Sequence, residues 1–346
     1  MARYLITGGA GFLGFHLIQR LLKDGDKISS IDINEIPEED LRQSVSHTIG
    51  DIRDKSAVQK ALKGVEVVIH SAAALPSWSK KDIYSVNVDG TSVLLEESLG
   101  LGIKKAVFVS TSSVYGIPGG LPFSEDGELL PISHYGRSKV EAEKICLEYN
   151  TRGMKISIVR PPPIIGKGRL GVFQILFDWV KSGRRIPMIG KGNNKYQLVA
   201  AEDLVDAIFF LARSDNSNFS GAFNAGAERM GTIREDLWGL CNHAGSGARP
   251  ISTPAFSVKA ALRVFEILHL SPIHRGIYET ADKNYVTSIE KIKNLGWLPK
   301  KSNAETLIET YDWYIENLQN IGLESGVGHR SPWDQKILSL FKKILK

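Results

Sequence analysis

With 346 residues, 42% of them hydrophobic and 23% charged, the chain can bury a substantial core in one or two domains, as an ordinary globular protein does. Its formal charge of +5 is spread along the chain except at the C-terminal end, which excludes a nucleic-acid stripe and with it a nucleic-acid partner. Cys146 and Cys241 lie far apart, so no metal is expected; with no leader-like or membrane-length apolar run, the expectation is a cytoplasmic protein.

"RYLIT" reads as a strand ending at the first glycines, and "GFHLIQRLLKDG" has helical apolar spacing up to Gly25. "KISSID" and "VEVVIHSA" are further strands, "SVLLEESLG" is helical, and "KKAVFVS" is again a strand. The helix "YGRSKVEAEKICLEYN" then leads into the strand "KISIVRP". Strict alternation of this kind predicts right-handed βαβ units and a doubly wound parallel sheet, an α/β Rossmann domain over residues 1–160. Beyond Pro161, "RPPPIIGKGR" is a loop and "VFQILFDWVKSG" an amphipathic helix, while "YQLVAAEDLVDAIFFLARS" reads as a strand and helix returning to the sheet near 196–225. Residues 161–195 and 226–320 are expected to form a smaller, mostly helical substrate-binding domain.

Residues 321–346 read as a Gly/Ser/Pro linker and a basic amphipathic helix. Trp333, Ile337, Leu338, Phe341, Ile344 and Leu345 share one helical stripe, with Lys336, Lys342, Lys343 and Lys346 elsewhere. Two readings stand: peripheral contact of 333–346 with an anionic membrane, or docking on the chain's own body or a partner subunit.

Gly8, Gly11 and Gly14 lie between a strand and a helix, where glycine lets the backbone turn tightly and approach a pyrophosphate held at the helix N-terminus. Asp32, ending the next strand, is placed to accept hydrogen bonds from an adenosine ribose and to repel a 2′-phosphate. The pattern favours NAD over NADP. Among ten tyrosines only Tyr135 has a lysine four residues later, Lys139, which a helix puts on the same face. An ammonium about 5 Å from the phenol, at an effective dielectric of about 20, favours phenolate by roughly 3 kcal/mol, about two pKa units. Tyr135 is thereby expected to serve as a base toward a substrate hydroxyl. The strand "VFVSTSS" ends in hydroxyls at the C-terminal edge of the sheet, where ligands bind, and one of them can hold the same substrate oxygen.

Taken together, "TGGAGFLG", Asp32, "GDIRD", "HSAAA", "NVDGT", "STSSVYG" and "YGRSK" resemble the extended short-chain dehydrogenase/reductases, the NAD-dependent epimerase/dehydratase family. The likeness runs through roughly residues 3–213 and resumes at "LGWLPKKSNAETLIETYDWY"; both the UDP-glucose 4-epimerase and the 3β-hydroxysteroid dehydrogenase branches are in view. The resemblance implies NAD held by Gly8, Gly11, Phe12, Leu13 and Gly14, with Asp32 on the ribose and Asp51 and Ile52 at the adenine edge. Ala72 and Ala73 would line the cofactor with Asn87 nearby, Thr111 would be the catalytic hydroxyl, Tyr135 the acid/base and Lys139 the ribose anchor. It also implies a small-molecule substrate and a homodimer formed through the helix of the Tyr–Lys pair and the helix before it.

The chain departs from the family pattern on the substrate side. Dehydratases carry Asp-Glu after the catalytic Thr; here Ser112 and Ser113 stand there, which argues against elimination of water. Pro163 replaces an Asn common in nucleotide-sugar epimerases, and Lys195 and Tyr196 stand where a diphosphate-binding Arg is usual. Arg275 is only near a second such Arg; Lys195, Lys167, Arg169 and Arg275 are partial substitutes, a lysine lacking the bidentate fork. The expected activity is an NAD-dependent epimerase or reductase acting on a sugar, nucleotide- or lipid-linked. Oxidation of an apolar or lipid alcohol is the second reading. A non-catalytic NAD-binding regulator is the third, and intact Thr111, Tyr135 and Lys139 argue against it.

Overall fold

The computed structural model describes residues 2–117, 119–268, 270–319, 321, 329–330 and 333–345. β1 (Arg3–Thr7), α1 (Phe12–Asp24), β2 (Lys27–Asp32), α2 (Glu39–Ser44), β3 (Ser46–Ile49), α3 (Lys55–Ala61) and β4 (Val67–His70) follow in order. Next come α4 (Lys80–Tyr84), a π-helical turn at Ser85–Asp89, α5 (Gly90–Gly100), β5 (Lys105–Val109), α6 (His134–Thr151) and β6 (Lys155–Arg160). The central strands read as unbroken apolar runs because helices cover both faces of the sheet, and Leu5, Ile6, Val68, Ile69, Val107, Ile156 and Ile158 are fully buried. α1 stops where Gly25 takes φ +76 and donates its N–H to the Leu21 and Leu22 carbonyls, a left-handed cap suited to glycine.

The second half supplies β7 (Ile164–Ile165), α7 (Val172–Lys181), β8 (Arg185–Ile189), β9 (Val199–Ala200), α8 (Ala201–Arg213) and β10 (Gly221–Asn224). α9 (Ile233–Ala244), β11 (Arg249–Thr253), α10 (Ala255–Ile267), α11 (Arg275–Tyr278), α12 (Glu290–Asn294), α13 (Asn303–Glu316) and α14 (Ile337–Ile344) complete the chain. The main sheet has seven parallel strands in the order β10-β6-β5-β4-β1-β2-β3. The strand order reverses between β1 and β4, so the ends of β1, β4 and β5 open onto a crevice of the kind that takes ligands.

One expectation needs correction. The strand at 196–200 does not return to the main sheet: Val199–Ala200 pairs in parallel with Ile164–Ile165 as a separate two-stranded ladder. The chain rejoins the main sheet twenty residues later at β10, against β6. "YQLVA" has the apolar density of a strand and "GAFN" does not, yet it is "GAFN" that pairs with β6. β8 and β11 form a further parallel pair. An apolar cluster separate from the sheet gathers Phe177, Trp179, Ile186, Leu240, Tyr311 and Tyr314 from α7, β8, α9 and α13.

α14 docks on the chain's own body. Trp333, Leu338 and Leu345 pack on that cluster, Phe341 meets Phe265 of α10 at 6.4 Å, and the Lys342 ammonium lies 2.5 Å from the Asp178 carboxylate. Leu340 and Ile344 remain exposed. Most of the linker expected before this helix lies outside the described residues. Among the described residues no helix is long and apolar enough to cross a membrane.

Candidate active site

A cleft of about 1090 Å³ runs over the C-terminal ends of β1, β2, β4 and β5 and is closed on its far side by residues of α7, α9 and the C-terminal segment. Its floor is the glycine turn. Gly8 has φ +76 and donates to the Ile31 carbonyl at 2.8 Å, and a methyl group on Gly14 would lie 2.2 Å from the Gly8 oxygen. No side chain caps α1, whose N-cap is Gly11, so N–H groups of its first turn are left for a ligand. Phe12, Leu13, Ile52, Ala72 and Ala73 line the cleft. Asp32 lines it too, while its carboxylate accepts from the Ala10 N–H at 3.1 Å and the Asn34 N–H at 2.9 Å, so one acid both borders the cleft and fixes the glycine turn to β2. Arg53 holds Asp51 through paired hydrogen bonds of 2.8 and 2.5 Å, and this keeps the Asp51 carboxyl below the usual carboxylate range.

Asn87 lies behind the cleft wall as a buried brace. It is absent from the cleft wall, accepts from the Ala74 N–H at 2.8 Å and donates to Ser138 at 3.0 Å, so it fixes the "HSAAA" turn to α6. A second brace runs through His70. The Thr7 hydroxyl oxygen accepts from the Ser71 and Ala72 N–H groups, so its hydrogen is left for His70 Nδ1 at 2.8 Å. His70 Nε2 then donates to Thr91 Oγ1 at 2.9 Å, whose own hydrogen goes to the Asn87 carbonyl at 2.6 Å. Burial, with a smaller push from Lys139, drives His70 down to about 3. Burial likewise lowers His16, His274 and His329. Unfolded, these rings take a proton near about 6.5, so the unfolded chain binds more protons below that pH and stability is lost as pH falls from there toward 3. Urea midpoints are therefore expected to fall steadily from pH 7 to pH 4.5 (about those values bracket the window); an invariant midpoint would contradict the neutral burial of His70.

The four hydroxyls after β5 divide their work. Ser110 donates to Glu143, which pairs with Arg160 at 2.7 Å in the core, so Ser110 is structural. Thr111 accepts from the Ser113 N–H at 3.2 Å and faces the cleft. Ser112 and Ser113 also line it, with the Ser112 carbonyl accepting from Tyr285 Oη at 2.7 Å.

Tyr135 and Lys139 sit one turn apart at the start of α6, where the Ser133 hydroxyl caps the helix by accepting from Gly136 N–H. Both line the cleft. Their electrostatics differ from the expectation of a depressed phenol. The Lys139 ammonium donates to the Val109 carbonyl at 2.9 Å and lies 4.6 Å from the Phe108 ring, tucked under the end of β5. Burial pushes Lys139 down to about 8 and Tyr135 up to about 12. The cation that favours the Tyr135 phenolate in this arrangement is Arg169, and it does not overcome burial. Helical spacing brought the pair to one face, but depth below the surface set their proton affinities.

On the substrate side, Pro163 and Tyr196 line the cleft, whereas Lys195 and Arg275 do not. Lys195 is exposed, and the Arg275 guanidinium points outward, 3.9 Å from Glu279 one helical turn away. Of the four substitute cations only Arg169 lines the cleft, buried to 8% exposure. Sequence reasoning missed Trp78, Tyr285, His329, Arg330 and Trp333, all of which border the cleft. The last three come from the C-terminal segment, where Arg330 pairs with Glu38 and lies 4.7 Å from the Phe15 ring. No local pattern announces such contacts.

A family model described as the NAD dependent epimerase/dehydratase family matches residues 4–226. A protein of Sinorhizobium fredii, "Uncharacterized protein y4nG", is 39% identical over 347 residues, covering 99% of this chain and 86% of its own length. The "3beta-hydroxysteroid-dehydrogenase/decarboxylase isoform 2" of Arabidopsis thaliana is 32% identical over 223 residues, covering 59% of this chain and 39% of that protein. The crystal structure of UDP-glucose 4-epimerase with UDP-glucose from Thermotoga maritima superposes with a TM-score of 0.76 at 25% identity, covering 91% of this chain and 99% of that one. With its glycine turn, Asp32 and the Tyr135–Lys139 pair inside the matched span, the chain belongs to the NAD-dependent epimerase/dehydratase family.

Proposed function

We propose that the chain is an NAD-dependent enzyme that moves hydride to and from a secondary alcohol carbon of a sugar, nucleotide- or lipid-linked. It acts as an epimerase that returns the hydride to the same substrate or as a reductase that draws it from NADH. The observation that carries the reading is that Thr111, Tyr135 and Lys139 border one cleft with the glycine turn and Asp32. The residues fit the dinucleotide: Gly8 and Gly14 leave no room for side chains, the first turn of α1 is open, and Asp32 lines the same cleft. Gly8, Gly11 and Gly14 would hold the pyrophosphate, Asp32 one ribose and Lys139 the other. When bound, NAD supplies the acceptor and donor of hydride. Thr111 and Tyr135 hold the substrate oxygen. Tyr135, protonated at neutral pH, donates its proton as a carbonyl becomes an alcohol and takes it back in the reverse step. Arg169 is the cation that eases the second half. Ser112 and Ser113 supply no strong acid or base, so water elimination is no part of the reaction.

Support for the sugar epimerase reading is the whole-length likeness to a UDP-glucose 4-epimerase, set against a hydroxysteroid dehydrogenase match over 59% of the chain. The second reading, oxidation of an apolar alcohol, is favoured by the apolar wall that Pro163, Val172, Phe173, Leu176, Leu237 and Ile277 give the substrate end. The test is the cofactor state of the purified protein, followed by incubation with UDP-sugars and with sterol-like alcohols. Retained NAD and interconverted sugar isomers without net NADH support the epimerase. Exchangeable NAD and net NADH from apolar alcohols move the assignment to the second reading, and a chain that binds no NAD overturns both.

A further inference from the structure

Large apolar side chains left in solvent gather on α10, the turn after it and α14. On α10, Phe256, Ala260, Val264 and Ile267 recur about one helical turn apart as an exposed stripe. Val258, Leu262 and Phe265 lie on the opposite, less exposed face. Phe256 is 86% and Ile267 77% exposed, and Leu268 and Leu270 at and beyond the helix end are exposed as well. α14 adds Leu340, Phe341 and Ile344, the last 66% exposed. The two helices adjoin, since Phe341 meets Phe265 and the Ile337 N–H donates to the Leu270 carbonyl at 3.2 Å. The inner side of α14 already packs on the chain's own body through Leu338 and Leu345, so its outer side is left for another partner. Apolar residues scattered singly on a surface are ordinary, but a contiguous group marks a place where something else excludes water.

Charge indicates the partner. Arg263 and Arg275 keep side chains 54% and 64% exposed, whereas Glu279, which pairs with both, is 13% exposed. Glu266 is likewise held inward, accepting from Tyr278 Oη at 2.6 Å and from the Arg275 N–H at 2.9 Å. Lys336 and Lys343 flank the α14 stripe and are exposed, with Asp334 an exposed acid beside them. Cations therefore stand outward around the stripe while Glu266 and Glu279 are turned in. An apolar stripe rimmed by cations fits the boundary between anionic headgroups and acyl chains: the apolar side chains enter the hydrocarbon and the cations stay with the phosphates. We propose that the outer faces of α10 and α14 together form a docking surface for an anionic lipid bilayer. His274, Ile277 and Thr280 after α10, and Trp333 ahead of α14, line the cleft, so a substrate carried in the lipid would reach the cleft at this edge of the molecule. That consequence rests on the function proposed above; the surface itself does not.

The test is flotation of the full chain with vesicles of phosphatidylcholine and phosphatidylglycerol in equal parts, and with vesicles of phosphatidylcholine alone. Wild type is expected to float with the first and much less with the second, and added salt should loosen it. The triple variant Phe256→Glu/Ile267→Glu/Ile344→Glu should bind the anionic vesicles at least about 100-fold more weakly, since each such side chain is worth about tenfold or more when buried. Ile49→Glu, at a residue of the edge strand β3 that is 61% exposed, should float as wild type does. The three substituted positions are exposed, so the triple variant should keep the wild-type urea midpoint and NAD affinity, which separates lost docking from lost folding. Should it not fold, the three single variants are read in its place. Wild type that floats with neither vesicle, or variants that float as wild type does, overturn the proposal. Equal flotation with both vesicles overturns the part given to the cations. If wild type does not float and light scattering shows an oligomer that the triple variant breaks, the face belongs to a second copy of the chain. Wild type that floats but binds no NAD overturns the proposed function and leaves the docking surface standing.

Discussion

Replacing Tyr135 by Phe is expected to slow turnover by about 10³-fold while NAD stays bound with nearly wild-type affinity. The substitution removes one oxygen and keeps the ring, so the packing at the start of α6 is preserved. What disappears is the proton that passes between the phenol and the substrate oxygen. Because burial holds the phenol near 12, the pH dependence should also be lopsided. Carbonyl reduction, which uses the protonated phenol, should hold its rate through neutral pH. Alcohol oxidation, which needs the phenolate, should quicken as pH rises until Lys139, pushed down to about 8, gives up its charge. Rates measured in both directions from pH 6 to 9, a window of about one to two units either side of that value, check this. A Tyr135→Phe protein that turns over at more than about a tenth of the wild-type rate would remove Tyr135 from the reaction.

The largest effect on stability is expected from Arg160→Met. Arg160 ends β6 with its side chain 6% exposed, and it pairs with Glu143 of α6, whose side chain is 3% exposed. Burial works against the Arg160 charge, yet the Glu143 carboxylate outweighs it and holds the guanidinium above its ordinary range. The same guanidinium donates to Tyr115 Oη and to the Glu125 carbonyl, both at 3.0 Å, and Tyr115 donates onward to Asn224 of β10 at 2.7 Å. Ser110 at the end of β5 completes the network through Glu143. Removing Arg160 leaves a carboxylate buried and unpaired, a loss of about 3–5 kcal/mol against a typical total of about 5–15 kcal/mol. Urea unfolding measures it. The double variant Arg160→Met/Glu143→Leu should recover part of the loss, since an apolar pair replaces the ion pair without stranding a charge. A single variant within about 0.5 kcal/mol of wild type, the range of a surface substitution, would mean the network carries no load. Because Thr111 follows Ser110 directly, the single variant should also turn over more slowly than its folded fraction accounts for.

These effects show where sequence reasoning reached and where it stopped. The glycine turn, Asp32, the Tyr135–Lys139 spacing and most strands and helices through residue 160 were legible because each is local, whereas α2, the edge strand β3, α3 and α4 went unread. A turn needs glycine within a few residues, a helix repeats every turn, and a covered parallel strand is an unbroken apolar run. Spacing could not say how deep a residue lies. Lys139 and Tyr135 were rightly put on one face, but burial raised the phenol instead of lowering it. Asn87 carried a motif and became a brace, while Lys195 and Arg275 carried the right charge and faced solvent.

By itself the sequence determined an α/β chain with a dinucleotide turn and a tyrosine–lysine pair, since those depend on neighbours a few residues apart. Only the tertiary structure decided that 221–224 rather than 196–200 rejoins the sheet, and that the C-terminal segment lies across the cleft. It alone buried Arg169 in the cleft wall, with its Nε lacking a hydrogen-bond partner among the described residues. Those outcomes depend on which distant surfaces exclude water from one another, and packing of that kind leaves no periodic trace along the chain.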